Sequence, residues 1–188
     1  SGTIRLGADL TAEQHVTLAG GAEVTANSVL ESVQGNITFT GNTTSAAGTQ
    51  RLSLITGETL SHSGSMEIEA LALQGIADFT LDNSGNQIGL LAAGTSAERI
   101  GALTLSNGAA MEIGTLGSQN GILASGDLDI TSADLTVSQA IDTESATTQA
   151  SDSANAITIA VSGASNIEAG VTAPGDIAFV GTTNITGA

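Results

Sequence analysis

The sequence predicts an all-β chain wound as a solenoid of short, parallel, stacked strands, and three observations carry that expectation. One phrase returns along the chain: a glycine, a small polar residue, then two apolar residues separated by a polar one. Apolar residues two apart face one side of a strand and the residue between them faces the other, so each copy reads as a turn feeding a short half-buried strand. The interior must also be narrow. Among 188 residues there are three Phe and no Trp or Tyr, leaving Val, Ile, Leu and Ala to fill the core. Finally, Gly, Asn, Ser, Thr and Asp, the residues that make turns, separate nearly every apolar pair.

In chain order, Gly2-Thr3-Ile4-Arg5-Leu6 is a loose first copy of the phrase, and Val16 and Leu18 form the next apolar pair. Gly35-Asn36-Ile37-Thr38-Phe39-Thr40 is a full copy, followed by Leu52 with Leu54 and by Gly64-Ser65-Met66-Glu67-Ile68-Glu69. Leu71 with Leu73, Phe79 with Leu81, and Gly101-Ala102-Leu103-Thr104-Leu105-Ser106 continue the series. Gly126-Asp127-Leu128-Asp129-Ile130-Thr131 runs directly into Ser132-Ala133-Asp134-Leu135-Thr136-Val137, which reads as two faces of one coil joined by a tight corner. Ile157 with Ile159 follows. Gly175-Asp176-Ile177-Ala178-Phe179-Val180 then runs into Gly181-Thr182-Thr183-Asn184-Ile185-Thr186, with Phe39 and Phe179 expected to face inward.

Strands this short are stable only if each coil stacks on the previous one. At ~20 residues per coil the chain makes roughly eight to nine coils, a rod of roughly 40 Å at ~4.8 Å per coil. The whole chain, 1–188, reads as a single unit of this kind. Two stretches lack the strand phrase, 41–50 and 142–155, and both read as loops leaving the coil. The second is long enough to protrude, and reads either as a carrier of binding or as a tolerated insertion without a role. No segment holds an amphipathic helical stripe for three turns.

Composition narrows the classes of function. Nineteen acidic residues against three Arg and no Lys give a formal charge of −16, which opposes binding to nucleic acid or to an anionic membrane surface. The 40% hydrophobic content at period 2 argues for order over disorder. No run of about 18 apolar residues is present, so no insertion into a membrane by a helix is expected. The absence of Cys suits a chain that crosses an oxidising compartment unfolded, with no disulfide to lock it early. The start Ser1-Gly2-Thr3 reads as a mature or excised segment of something longer.

A resemblance then enters. The run Asn86-Gln87-Ile88-Gly89-Leu90-Leu91-Ala92-Ala93 resembles a phrase of the shafts of filamentous-haemagglutinin-like exoproteins of two-partner secretion. Ile100-Gly101-Ala102-Leu103-Thr104-Leu105 and Gly121-Ile122-Leu123-Ala124-Ser125-Gly126-Asp127-Leu128-Asp129-Ile130 continue it in the order those shafts use, most clearly over 81–141. The resemblance implies a right-handed parallel β-helix, exported across an outer membrane by a partner transporter. It implies a secreted or bacterial cell-surface location, and a role in attachment, aggregation or biofilm matrix. Its expected partners are glycans, exopolysaccharide or other copies of the protein.

Reactive groups are sparse. His15 and His62 lie in unrelated contexts without ligand spacing for zinc, and both read as surface residues. The run Ser162-Gly163-Ala164-Ser165 reads as a turn without a nearby His. Glu67 with Glu69, and Asp127 with Asp129, are carboxylates two apart on one strand face, about 6–7 Å from each other. That spacing suits a polysaccharide lyase, a glycoside hydrolase or a Ca²⁺ ligand pair. The bland alternative is that they are the outward residues of strands whose inward residues are Met66 and Ile68, or Leu128 and Ile130. An enzyme would also need basic and aromatic groups to hold sugar, which three Arg and no Trp or Tyr do not supply. The expectation is therefore a structural or adhesive shaft segment, not an enzyme. It has no catalytic, cofactor or metal residues and no cofactor beyond weakly held Ca²⁺ on the acidic rows. Three Asn-x-Thr sequons, at Asn36, Asn42 and Asn184, mark positions where glycosylation is chemically allowed.

Overall fold

The computed structural model describes residues 2–46, 48–143 and 155–186. Within them there is no helix; parallel strands wind as a β-solenoid of about eight turns. The windings link into one continuous 19-stranded sheet, with a separate two-stranded antiparallel hairpin outside it. Each strand pairs with the strand one coil away, so nearly all contacts are long-range in sequence.

The register aligns the apolar pairs into columns. One runs through Val16, Ile37, Leu60, Phe79, Leu103, Leu128, Ile157 and Ile177. A second, on another face, runs through Leu10, Leu30, Leu54, Leu73, Ala93, Ile122, Ile141 and Val171. A third links Leu52, Leu71, Leu91, Ile113, Val137, Ile167 and Ile185. Away from the two ends these side chains are buried in one cluster. The interior is thus a file of aliphatics stacked on near-identical neighbours, which needs no aromatic filling.

The recurring glycine has a different reason from the one that turn chemistry suggests. The phrase glycines Gly35, Gly64, Gly101 and Gly126 all lie outside the left-handed region. They sit at corners where adjacent coils touch through the backbone. A Cβ at Gly64 would collide with the carbonyl of Gly41, one at Gly41 with the carbonyl of Gly20, and one at Gly126 would lie 2.8 Å from the amide nitrogen of Ala102. Left-handed backbone is confined to other glycines, such as Gly121 at φ 79°.

Two expected loops fare differently. Within 41–50, Thr43–Ser45 is a strand of the stack, paired with Ala22–Val24 below and with Met66–Gln74 above. It was masked by lacking an apolar pair; Thr43 is nevertheless fully buried, its hydroxyl held by His62. In the second stretch, 144–154 lies outside the described residues, while Asp142 belongs to the short strand Ile141–Asp142.

The hairpin was not legible from the recurring phrase. Thr115–Leu116 and Gln119–Asn120 pair antiparallel and fold back over the outer surface of the coil. Leu116 packs on Ala70, Ala72 and Ala92, which point away from the main core and form a small second one. Gln119 is buried and donates to the carbonyl of Leu73 at 3.1 Å.

Candidate functional site

Glu67 and Glu69 both project from the exposed side of Met66–Gln74, alternating with the buried Met66 and Ile68. Register sets Glu67 between Thr44 on one neighbouring strand and Gln87 on the other. Glu69 stands beside Gly89, whose missing side chain leaves the carboxylate open to a shallow groove of about 230 Å³. Ser45, Glu67, Glu69, Gln87 and Ala109 contribute to its walls. This is the most site-like arrangement of the expected residues. It holds two carboxylates, an amide and a hydroxyl, but no cation or imidazole lines it. No cluster of three or more His, Cys, Asp or Glu exists among the described residues. Such a groove can offer hydrogen bonds to sugar hydroxyls.

The second expected pair separates by role. Asp127 accepts a hydrogen bond from the amide of Ala156, one coil on, at 2.8 Å. Asp129 stands exposed in the ladder between Thr104 and Thr158. Asp127 is one of a set of corner residues that do this work. Asp9 accepts from the amide of Val29, Asn36 from Thr59, Asn42 from Ser65, Asp78 from Ala102 and Asp134 from Ala164. At Asn36 and Asp127 the small polar residue of the phrase is therefore a cap tying the start of its strand to the coil that follows, which satisfies amides the corner would leave unpaired. Asn36 and Asn42, the first two sequon asparagines, spend their side-chain oxygens on such caps. Asn184 donates to Asn166 at 3.3 Å.

The expectation that both histidines lie at the surface holds for His15 and fails for His62. His15 is exposed and accepts from the amide of Asn36 at 3.0 Å. His62 is 3% exposed and continues the inward column above Phe39, its ring centroid 5.0 Å from that of Phe39. Nδ1 meets the carbonyl of Gly64 at 2.9 Å, so Nδ1 carries the proton and donates. Nε2 then accepts from the Thr43 hydroxyl at 2.9 Å. Both ring nitrogens are satisfied in the neutral form, and burial lowers the pKa below the usual imidazole value despite the opposing backbone hydrogen bonds. The signal was present in the sequence. His62 stands two residues after Leu60, at the inward parity of its strand.

The run Ser162-Gly163-Ala164-Ser165 lies within the strand Ile157–Ile167, at a register irregularity, and not in a turn. Ser165 is buried and bonded to the Thr183 hydroxyl at 2.9 Å. The composition gave no warning of Arg99, which clamps two coils. Its guanidinium donates to the carbonyls of Ala124 and Asp142 at 3.0 and 2.9 Å and pairs with the Asp142 carboxylate at 2.7 Å.

Set against known protein families, curated proteins and solved structures, the chain matches none. What it does therefore rests on its own geometry.

Proposed function

We propose that this chain is a shaft segment of a large secreted bacterial surface or biofilm-matrix adhesin of the filamentous-haemagglutinin-like kind, giving reach and contact for cell–cell or cell–surface attachment. The observation that carries the reading is the continuity of the apolar columns combined with the placement of charge. Two columns hold eight rungs each, and no Asp, Glu or Arg is buried among the described residues. Of the carboxylates that looked reactive, Asp127 caps a coil, Asp129 faces solvent alone, and Glu67 with Glu69 share one shallow groove. A chain built this way resists bending through continuous backbone ladders and displays regular polar rows.

One such row supports contact with glycans. Thr17, Thr38, Ser61, Thr80 and Thr104 occupy the outward position of five successive rungs. Hydroxyls repeated at the coil spacing of ~4.8 Å can bond many sugar hydroxyls weakly at once, and affinity then comes from multivalency. Beads coated with the purified chain should retain exopolysaccharide-bearing cells or polysaccharide-coated surfaces, more than beads carrying an equally acidic, unrelated protein. Equal retention on both beads would remove the adhesive reading. Release of sugars from a broad polysaccharide panel, abolished by Glu67→Gln, would replace it with an enzymatic one.

A further inference from the structure

Away from the two end coils, Val33 and Ile76 are the exposed large aliphatics among the described residues, at 44% and 70% exposure. Both stand at one corner. Ser32 pairs with Thr56, and Gln74 with Ile55, so the register carries Val33 and Ile76 to opposite sides of Gly57, one on the coil below and one on the coil above. Two rungs of ~4.8 Å separate their backbones. Each of those coils is covered in turn: the Val33 amide donates to the carbonyl of Ala12, and Ala77 accepts from the amide of Gly101. Gly57 leaves the space between the two side chains open, because a Cβ there would lie 2.8 Å from the carbonyl oxygen of Val33. Ile55, half-buried on the outward side of the strand that leads to Gly57, adds apolar area to this notch. The rim is acidic. Glu13 stands beside Val33 and Glu58 follows Gly57, and both are exposed. The ion pairs among the described residues are Arg5 with Glu23 and Arg99 with Asp142, so neither rim carboxylate is matched by a cation.

We propose that this corner docks an extended segment of a different polypeptide, one that presents an aliphatic side chain flanked by lysine or arginine. The aliphatic side chain enters the notch between Val33 and Ile76, and the flanking cations meet Glu13 and Glu58. Single exposed aliphatics scattered over a surface carry no such meaning, but here two face each other across a gap that glycine keeps clear, inside an acidic rim. Charge selects the occupant. A second copy brings the same carboxylates, three Arg in all and a net charge of −16, so two copies repel at this corner. A basic segment is drawn to it, and its apolar residue supplies the contact that a purely charged chain lacks. The inference concerns a polypeptide partner at one corner and stands apart from any glycan binding along the outward Thr row.

The test titrates the chain against two short, fluorescently labelled peptides of equal charge, one alternating lysine with valine and the other lysine with serine, and reads fluorescence anisotropy. The unmodified chain should hold the valine peptide at least ~tenfold more tightly, the gain expected from burying one such side chain. In the double variant Val33→Ser with Ile76→Ser, both at exposed positions, the two peptides should bind alike, with melting temperature and far-UV circular dichroism confirming the fold. Glu13→Gln with Glu58→Gln should weaken both peptides by a similar factor and keep the preference for valine. Equal binding of the two peptides to the unmodified chain overturns the proposal, and so does a preference that survives in Val33→Ser with Ile76→Ser. Unchanged affinity in Glu13→Gln with Glu58→Gln removes the basic partner. Self-association of the unmodified chain in sedimentation velocity, abolished by Val33→Ser with Ile76→Ser, would replace that partner with a second copy.

Discussion

His62 sits directly above Phe39 in the inward column, its ring tilted 42° to the phenyl ring, in a position that Leu18 holds two coils below. The imidazole is thus a core residue whose two nitrogens are matched by Gly64 and Thr43 in the neutral state, and it is burial that disfavours the charged form.

Stability should therefore fall on acidification through the imidazole range. The folded-state pKa lies below the unfolded value near 6.5, so below that value the unfolded chain binds the proton first. The contribution is complete above the unfolded pKa and is lost as pH falls from there toward the folded pKa, at up to about 1.4 kcal/mol per pH unit. Denaturation of the double variant Thr43→Val with His62→Leu, measured between pH 7 and 5, should show a flatter pH dependence than the unmodified chain. Identical slopes would refute this role for His62.

Gly64→Ala places a Cβ against the Gly41 carbonyl, and backbone of a neighbouring coil cannot give way cheaply. The expected loss is about 2–4 kcal/mol. Gly170→Ala is the control: an added Cβ there meets nothing within 4 Å, and the backbone is not left-handed. Urea melts of the two variants separate crowding from any general cost of replacing glycine.

Asp127→Ala removes the acceptor for the Ala156 amide and should cost about 1 kcal/mol. Asp127→Asn keeps an oxygen at the same place and should cost much less. Chemical denaturation decides it: equal losses would show that the charge matters and that the cap does not.

Leu116→Ala withdraws the side chain that covers Ala70, Ala72 and Ala92. A loss of about 2 kcal/mol is expected, the low end for a buried leucine because the cluster is small, with faster proteolytic cutting within 114–121 and the rest of the coil intact. Unchanged cutting would mean that Gln119, through its bond to Leu73, holds the hairpin by itself.

How far the sequence could be read follows the range of each interaction. Strand parity is a property of adjacent residues, so Met66 and Ile68 inward against Glu67 and Glu69 outward was legible, as was Leu128 and Ile130 against Asp129. Thr43–Ser45 was not, because its burial depends on a partner 19 residues away. The hairpin at 115–120 was also missed. Its trace is the runs Ala70-Leu71-Ala72-Leu73 and Leu90-Leu91-Ala92-Ala93, apolar on both faces, which call for a second cover on the outside.

The sequence by itself determined that this chain forms short strands with turns between them, which members of the apolar pairs face the core, and that reactive groups are sparse. Local alternation and turn chemistry suffice for that. Only the tertiary structure decided the register that stacks Val16 under Ile37 and Leu60, the burial of His62, the Arg99 clamp, and the function of each corner residue. Those depend on which coil lies against which. The phrase glycines make the point. Turn chemistry alone accounts for a glycine before each strand, but the reason at Gly64 is the carbonyl of Gly41, which only the stacking of coils brings near.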